Sequence, residues 1–213
     1  MTDSTQCPLC NATGGSPFFT DKRREYLRCT YCALVFVPSS FHLSVVKERA
    51  EYDKHENAVE DPGYRRFLSR LLVPLNEAIA PASSGLDFGC GPGPALAQML
   101  REGGHSMAIY DPFYAPDTAV LQHSYDFVTA TEVVEHMHKP GDDLSRLWSM
   151  LRPGGTLAVM TKLVLGAAAF TTWHYKNDPT HVCFFSRETW QWWADQNTAE
   201  MKFEGADVIL LRK

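Results

Sequence analysis

From residue 86 onward, short apolar runs alternate with stretches whose apolar residues recur at helical spacing. The runs at 86–88, 105–111, 125–131 and 156–161 read as strands of a buried sheet. Between the first two, Pro94-Ala95-Leu96-Ala97-Gln98-Met99-Leu100 reads as a helix with proline in its first turn. Residues 141–151 place Leu144, Leu147, Trp148 and Leu151 at i, i+3, i+4 and i+7, a core-facing stripe ended by Arg152-Pro153-Gly154-Gly155. Ser186 is an N-cap for a helix to about residue 196, with Trp190 and Trp193 on one face. Two short strands, 201–204 and 207–211, then flank Gly205-Ala206. Upstream, residues 38–85 are polar and largely helical, with Phe67, Leu68, Leu71, Leu72, Leu75 and Ile79 as a stripe and Pro74 as a kink. Strands and helices taking turns predict an α/β fold.

The first strand runs into Leu86-Asp87-Phe88-Gly89-Cys90-Gly91-Pro92-Gly93. Three alternating glycines let the backbone turn tightly and approach a ligand. The helix that follows points unpaired amides and its positive dipole end at the same place. This is the geometry of a nucleotide-type cofactor pocket at the carboxyl end of a strand. A dinucleotide fingerprint would space its glycines G-x-G-x-x-G. Here the third glycine comes one residue early, Pro94 stands in its place, and Asp87 precedes the first glycine by two. An acid there repels a pyrophosphate and suits a cofactor with an ammonium group, which disfavours an NAD-dependent oxidoreductase.

The segment resembles motif I of the class I S-adenosylmethionine (SAM) methyltransferases. Later segments strengthen the likeness: Asp111 about twenty residues on, where an acid takes the ribose hydroxyls, then Tyr125-Asp126-Phe127-Val128-Thr129-Ala130-Thr131 followed by Glu132, Glu135 and His136, and the Leu-x-Pro-Gly-Gly turn. Trp173-His174-Tyr175-Lys176-Asn177-Asp178-Pro179-Thr180-His181 is similar to a segment of one subgroup, the type 23 methyltransferase domain. The resemblance implies a Rossmann-like sheet closed by an antiparallel hairpin at 201–204 and 207–211. The stretch 112–125 is too short for a further helix, strand and helix, so the family's third strand is predicted to be shortened or absent, and its adenine contact passes to Pro112, Phe113 or Gln122. The implied cofactor-binding set is Asp87, Gly89, Cys90, Gly91, Gly93, Asp111, Pro112, Phe113 and Glu132. His181 is the first choice for general base and His136 the second, with Tyr175 or Asp178 orienting. Bracing of the loop, His181 bonding Asp178, is the alternative. The resemblance makes Tyr52, His55 and Tyr64 candidates for a lid over the pocket; a surface helix and loop is the alternative.

Four of the six cysteines form Cys7-x2-Cys10 and Cys29-x2-Cys32, eighteen residues apart. This is a tetrahedral zinc spacing and resembles a zinc ribbon; with all four positions thiolate, the zinc is structural. Two disulfides are the alternative and need an oxidising compartment. Cys90 and Cys183 read as small buried residues, and His42, His105, His123 and His138 as structural. The expected divisions are a ribbon at 1–37, a helical linker or lid at 38–85 and the SAM-dependent domain at 86–213.

At 213 residues there is room for one ordinary domain plus a small module. A net charge of −5 disfavours binding nucleic acid through its phosphates, and Lys22-Arg23-Arg24 with Arg28 reads as a solvated face. No run of eighteen apolar residues occurs, and Met-Thr-Asp-Ser-Thr-Gln does not resemble a signal peptide. A cytoplasmic protein without membrane contact is therefore expected. The leading expectation is methyl transfer to a small molecule. A protein or RNA acceptor recruited by the ribbon, or an inactive SAM-binding protein, are the alternatives.

Overall fold

The structure is a computed structural model that describes residues 6–54 and 58–213. Three strands open the chain: β1 (Gly15–Thr20), β2 (Glu25–Cys29) and β3 (Val35–Phe36). Two helices follow, α1 (Val45–Tyr52) and α2 (Pro62–Ala78), the second continuing through Pro74 as one element. The main sheet starts with β4 (Ser84–Phe88), and α3 (Ala95–Glu102) leads to β5 (Ser106–Tyr110). Then come β6 (Tyr125–Thr131), α4 (Pro140–Ser149), β7 (Leu151–Met160), α5 (Ala167–Thr172), β8 (Cys183–Phe184), α6 (Arg187–Asn197), β9 (Glu200–Glu204) and β10 (Val208–Arg212).

Six strands form the main sheet in the order β5-β4-β6-β7-β10-β9. The first four are parallel, and β10 runs antiparallel to both β7 and β9, closing the sheet with the expected hairpin. Alternation along the strands sorts the apolar residues to two faces. Phe127, Ala158, Met160, Val208 and Leu210 pack with Leu68, Leu71 and Leu75 of α2 and with Leu96 and Leu100 of α3. Val128, Leu157, Val159, Ile209 and Leu211 join Leu144, Leu147 and Trp148 of α4 and Trp190 and Trp193 of α6. Ser186 caps α6 with a reciprocal bond to Thr189.

Three expectations are corrected here. Leu151 keeps its burial but begins β7 instead of ending α4, because it pairs with Tyr125. The Leu-x-Pro-Gly-Gly segment is not a free turn before the strand. It lies inside β7 as an irregularity, since Leu151 pairs with Tyr125 and Thr156 with Phe127, leaving 152–155 opposite Asp126 alone. Cys90 is half-buried, not enclosed. Between Tyr110 and Tyr125 there is no strand, only a short 3-10 turn at Thr118–Gln122 capped by Asp117. The third strand is absent and β5 is an edge.

Close packing of β4 on β6 requires a glycine: a Cβ on Gly85 would collide with the Phe127 ring. Gly85→Ala is expected to cost about 2–3 kcal/mol by overpacking, measured as a fall in the urea midpoint.

The amino-terminal strands form a second sheet in the order β1-β2-β3-β8, so residues 183–184 complete it. Val35 pairs with Phe184 and Phe36 with Cys183. Phe170 of α5 stands edge-on to Phe18 and Tyr26. The Gly141 amide at the start of α4 donates to the Pro8 carbonyl. One buried cluster runs from Cys7 to Leu211, so packing crosses the boundary expected at residue 37. It crosses that at residue 85 too, where α2 lies on the sheet.

Candidate active site

The glycine loop leaves the carboxyl end of β4. Gly89 and Cys90 amides donate to the Tyr110 carbonyl, at 2.7 and 3.2 Å, tying the loop to the end of β5. Gly89 has φ +73°, and a Cβ there would strike Val133. Gly91 has φ +63° and open space where a Cβ would point. Such a bare, left-handed position beside a helix start lets a ligand meet the backbone. Gly93 follows, its carbonyl accepting from the Ala95 amide at 2.7 Å.

Asp87 is buried under this loop and accepts from Thr129 Oγ1 at 2.7 Å. Burial pushes its carboxyl up to about 6, against the opposing Thr129 bond. Asp111 is also buried. Its Oδ2 takes the Gly91 amide at 3.1 Å, and its Oδ1 takes the amides of Phe113 and Tyr114 at 2.8 and 3.0 Å. One carboxylate thus sets both the glycine loop and the turn carrying Pro112 and Phe113. Hydrogen bonds thus tie Gly89, Cys90, Gly91, Asp111 and Phe113 together at the ends of β4 and β5; Gln122 ends the 3-10 turn.

The neighbouring strand end supplies the second half. Glu132 has φ +53°, a conformation strained for any residue with a side chain. Its Oε1 is buried without a hydrogen-bond partner among the described residues, and its Oε2 lies 3.2 Å from the Tyr175 hydroxyl. Glu135 is fully buried, bonded to the Tyr175 hydroxyl and, at 3.0 Å, to Thr161 Oγ1. Burial raises both carboxyls, and for Glu135 the Glu132 charge adds to it. Tyr175 is likewise raised, by burial and then by the two glutamates.

His181 completes the cluster. Its Nδ1 lies 2.8 Å from the Tyr175 carbonyl oxygen; a carbonyl only accepts, so Nδ1 carries the hydrogen. Its ring is 4.6 Å from that of His136 and 4.2 Å from that of Tyr175. Its Nε2 faces Asp178 Oδ2 at 3.8 Å. Burial pulls the Asp178 carboxyl up, but two bonds from Thr180 and the nearby His181 and His136 hold it below its usual value. All four residues expected for chemistry are therefore neighbours. Tyr52 covers them: its ring stands 5.2 Å from His136 and 5.7 Å from Phe113, joining the two halves. Tyr64 faces Asp87, Glu132 and Cys90 and is pushed up to about 12, chiefly by burial. His55 lies outside the described residues.

Arg24 corrects another expectation. It is no solvated charge: it is 8% exposed, and its guanidinium donates to the carbonyls of Lys176, Asp178 and Pro179 at 2.6, 2.8 and 3.2 Å. Arg23 remains exposed but holds Asn177 by both backbone and side chain. The amino-terminal sheet thus clamps the segment that carries Tyr175, Asp178 and His181. Arg24 stands just before β2 and two positions from the buried Tyr26, and that spacing was the available sequence signal. Thr129 within β6 and Thr161 just past the end of β7, buried hydroxyls aimed at Asp87 and Glu135, had none.

Beyond the clamp, Cys7 Sγ is 3.5 Å from Cys32 Sγ, and Cys10 Sγ is 3.5 Å from Cys29 Sγ. A disulfide would need about 2.05 Å. Four thiolates about 2.3 Å from one zinc stand about 3.8 Å apart. Both loops have the same form: Cys7 and Cys29 amides donate to the carbonyls of Ala12 and Leu34, and Asn11 and Ala33 are left-handed. The donor set and its spacing suit a tetrahedral soft metal.

A sequence profile described as a methyltransferase domain, of type 23, matches residues 58–200. The chain belongs to this methyltransferase family. A SAM-dependent methyltransferase from Archaeoglobus fulgidus shares the fold, with TM-score 0.53 at 15% identity over 70% of this chain and 94% of that one. A protein from Galdieria sulphuraria, named as a candidate sarcosine dimethylglycine methyltransferase, aligns with TM-score 0.50 at 15% identity over 74% of this chain and 76% of that one. No curated protein matches by sequence. Family membership supports SAM as the methyl donor of this methyltransferase, and the open backbone at Gly91 beside Asp111 fits such a group. Among the described residues, no helix is long and apolar enough to cross a membrane.

Proposed function

We propose that the protein transfers a methyl group from SAM to a small-molecule acceptor. The observation that carries this reading is the meeting of the glycine loop, Asp111 and a buried polar cluster at the carboxyl ends of adjacent parallel strands, where such sheets bind ligands. Asp87, Gly89, Cys90, Gly91, Gly93, Asp111, Pro112, Phe113 and Glu132 hold the donor. When bound, SAM supplies a methyl already activated on a sulfonium. The chain's own residues position the acceptor, exclude water and take its proton. His181 Nε2, aimed by the Nδ1 bond to the Tyr175 carbonyl, receives that proton in the metal-free site, with His136 the second candidate. Tyr175 and Asp178 orient them. His181 is only 7% exposed and Tyr52 lies over His136, which favours a compact acceptor over a macromolecule. The four cysteines hold a structural zinc, and the ribbon it closes positions the acceptor loop through Arg24.

Calorimetry tests the reading. SAM and S-adenosylhomocysteine are expected to bind and NAD not to; binding of NAD alone would overturn it. Asp111→Ala removes three backbone anchors and is expected to weaken SAM binding by about a hundredfold or more, roughly 3 kcal/mol. His181→Ala should keep SAM affinity and lower turnover by about a hundredfold. Unchanged turnover would remove His181 from the chemistry.

A further inference from the structure

We propose that Glu135, His136 and His181 form a second metal site, separate from the cysteines, which binds a divalent first-row transition ion. One ligand atom from each residue lies within 4.8 Å of the other two. Two ligand atoms about 2.1 Å from a common ion are at most about 4.2 Å apart, so side-chain shifts under about 1 Å gather all three. Two imidazoles and a carboxylate select ions of intermediate softness, unlike the all-thiolate set in the ribbon.

The surroundings are those of a built site. The Nδ1–H of His181 goes to the Tyr175 carbonyl, which fixes the ring and leaves Nε2 as the ligand atom. Glu135 is held by Thr161 Oγ1 on one oxygen and by the Tyr175 hydroxyl on the other. Asp178 Oδ2 lies 3.8 Å from His181 Nε2, with its Oδ1 occupied by Thr180. Glu132, joined to Glu135 through the Tyr175 hydroxyl, brings a second carboxylate whose Oε1 is buried without a partner among the described residues. Glu132 and Glu135 share the Tyr175 hydroxyl, so an ion held by Glu135, His136 and His181 would have a second carboxyl group close by. Three protein ligands leave coordination positions open, and an oxygen atom of the acceptor suits them. That use rests on the methyltransferase reading, and with the ion bound His181 holds metal instead of taking a proton. Binding of the ion itself rests on neither.

Manganese(II) is the probe, because thiolates bind it poorly. The 213-residue chain with its ribbon zinc in place is titrated without SAM, and free manganese is followed by its paramagnetic resonance signal. One manganese per chain is expected, with affinity reduced tenfold or more in Glu135→Gln and in His181→Ala while zinc content and SAM binding are unchanged. No binding at millimolar manganese, or equal binding by both variants, overturns the site. Should the variants fail to fold, the wild-type protein decides: manganese is expected to broaden the imidazole resonances of His136 and His181 first. Broadening confined to other residues overturns the proposal. Loss of SAM binding with manganese binding intact would count against the methyl-transfer reading alone.

Discussion

Arg24→Ala is expected to disable the acceptor half of the site while sparing the cofactor half. The guanidinium is the shared partner of three loop carbonyls and, through Nε, of the Tyr26 hydroxyl at 3.0 Å. Hydrogen bonds to a charged donor are each worth roughly 1.5–3 kcal/mol, and stranded buried carbonyls add their desolvation. Arg23 keeps its hold on Asn177, so part of the clamp survives. The expected loss is about 3–5 kcal/mol in urea unfolding, with turnover down by about a hundredfold. SAM affinity should stay within about twofold, since Gly91 and Asp111 hang from other strands. Arg24→Lys should recover little, because an ammonium cannot span three carbonyls. If turnover survives Arg24→Ala, the ribbon does not position the loop.

Stripping the zinc proposed for the four cysteines is expected to have the larger effect on stability. Cys7, Cys29 and Cys32 are buried within the cluster that runs on into the methyltransferase core. Zinc sites in small modules contribute roughly 10–16 kcal/mol of apparent binding energy, as much as or more than the roughly 5–15 kcal/mol that holds an ordinary domain folded. A strong chelator should therefore lower the melting temperature by about 10 °C or more and abolish turnover, with both restored by added zinc. Hydrogen exchange should show protection lost first in β1, β2 and β3. Elemental analysis should return at least one zinc per chain before treatment. Reduced, active protein without zinc would sink the ribbon assignment.

Local signals account for what could be read in advance. Ser186 marks the start of α6, and apolar residues at 125–131 mark β6, because caps and strand periodicity act over a few residues. Leu151 misled because its place in the helical repeat coincides with its pairing to Tyr125, and a tertiary partner outweighs period. The glycine loop and Asp111 were legible through spacing. Asp111's work on Gly91 and Tyr114 was not, since it depends on where β5 ends relative to β4. Arg24 looked like one more surface cation because its partners lie about 150 positions away in the chain. The crowding of Glu132, Glu135 and His181 around Tyr175 is likewise a product of two strand ends meeting.

The pairing of β3 with β8 has a bearing on how the chain emerges during synthesis. Val35 and Phe36 must wait for Phe184 and Cys183, 149 and 147 positions later, before their outer edge is covered. At about 5–20 residues per second, that edge stays open for roughly 7–30 s. Capture of the proposed zinc by Cys7, Cys10, Cys29 and Cys32 needs nothing beyond residue 32 and so precedes the synthesis of β8. The ribbon is thus expected to be stapled first and zipped last, and a fragment ending at residue 37 would keep its metal while showing a bare, sticky strand.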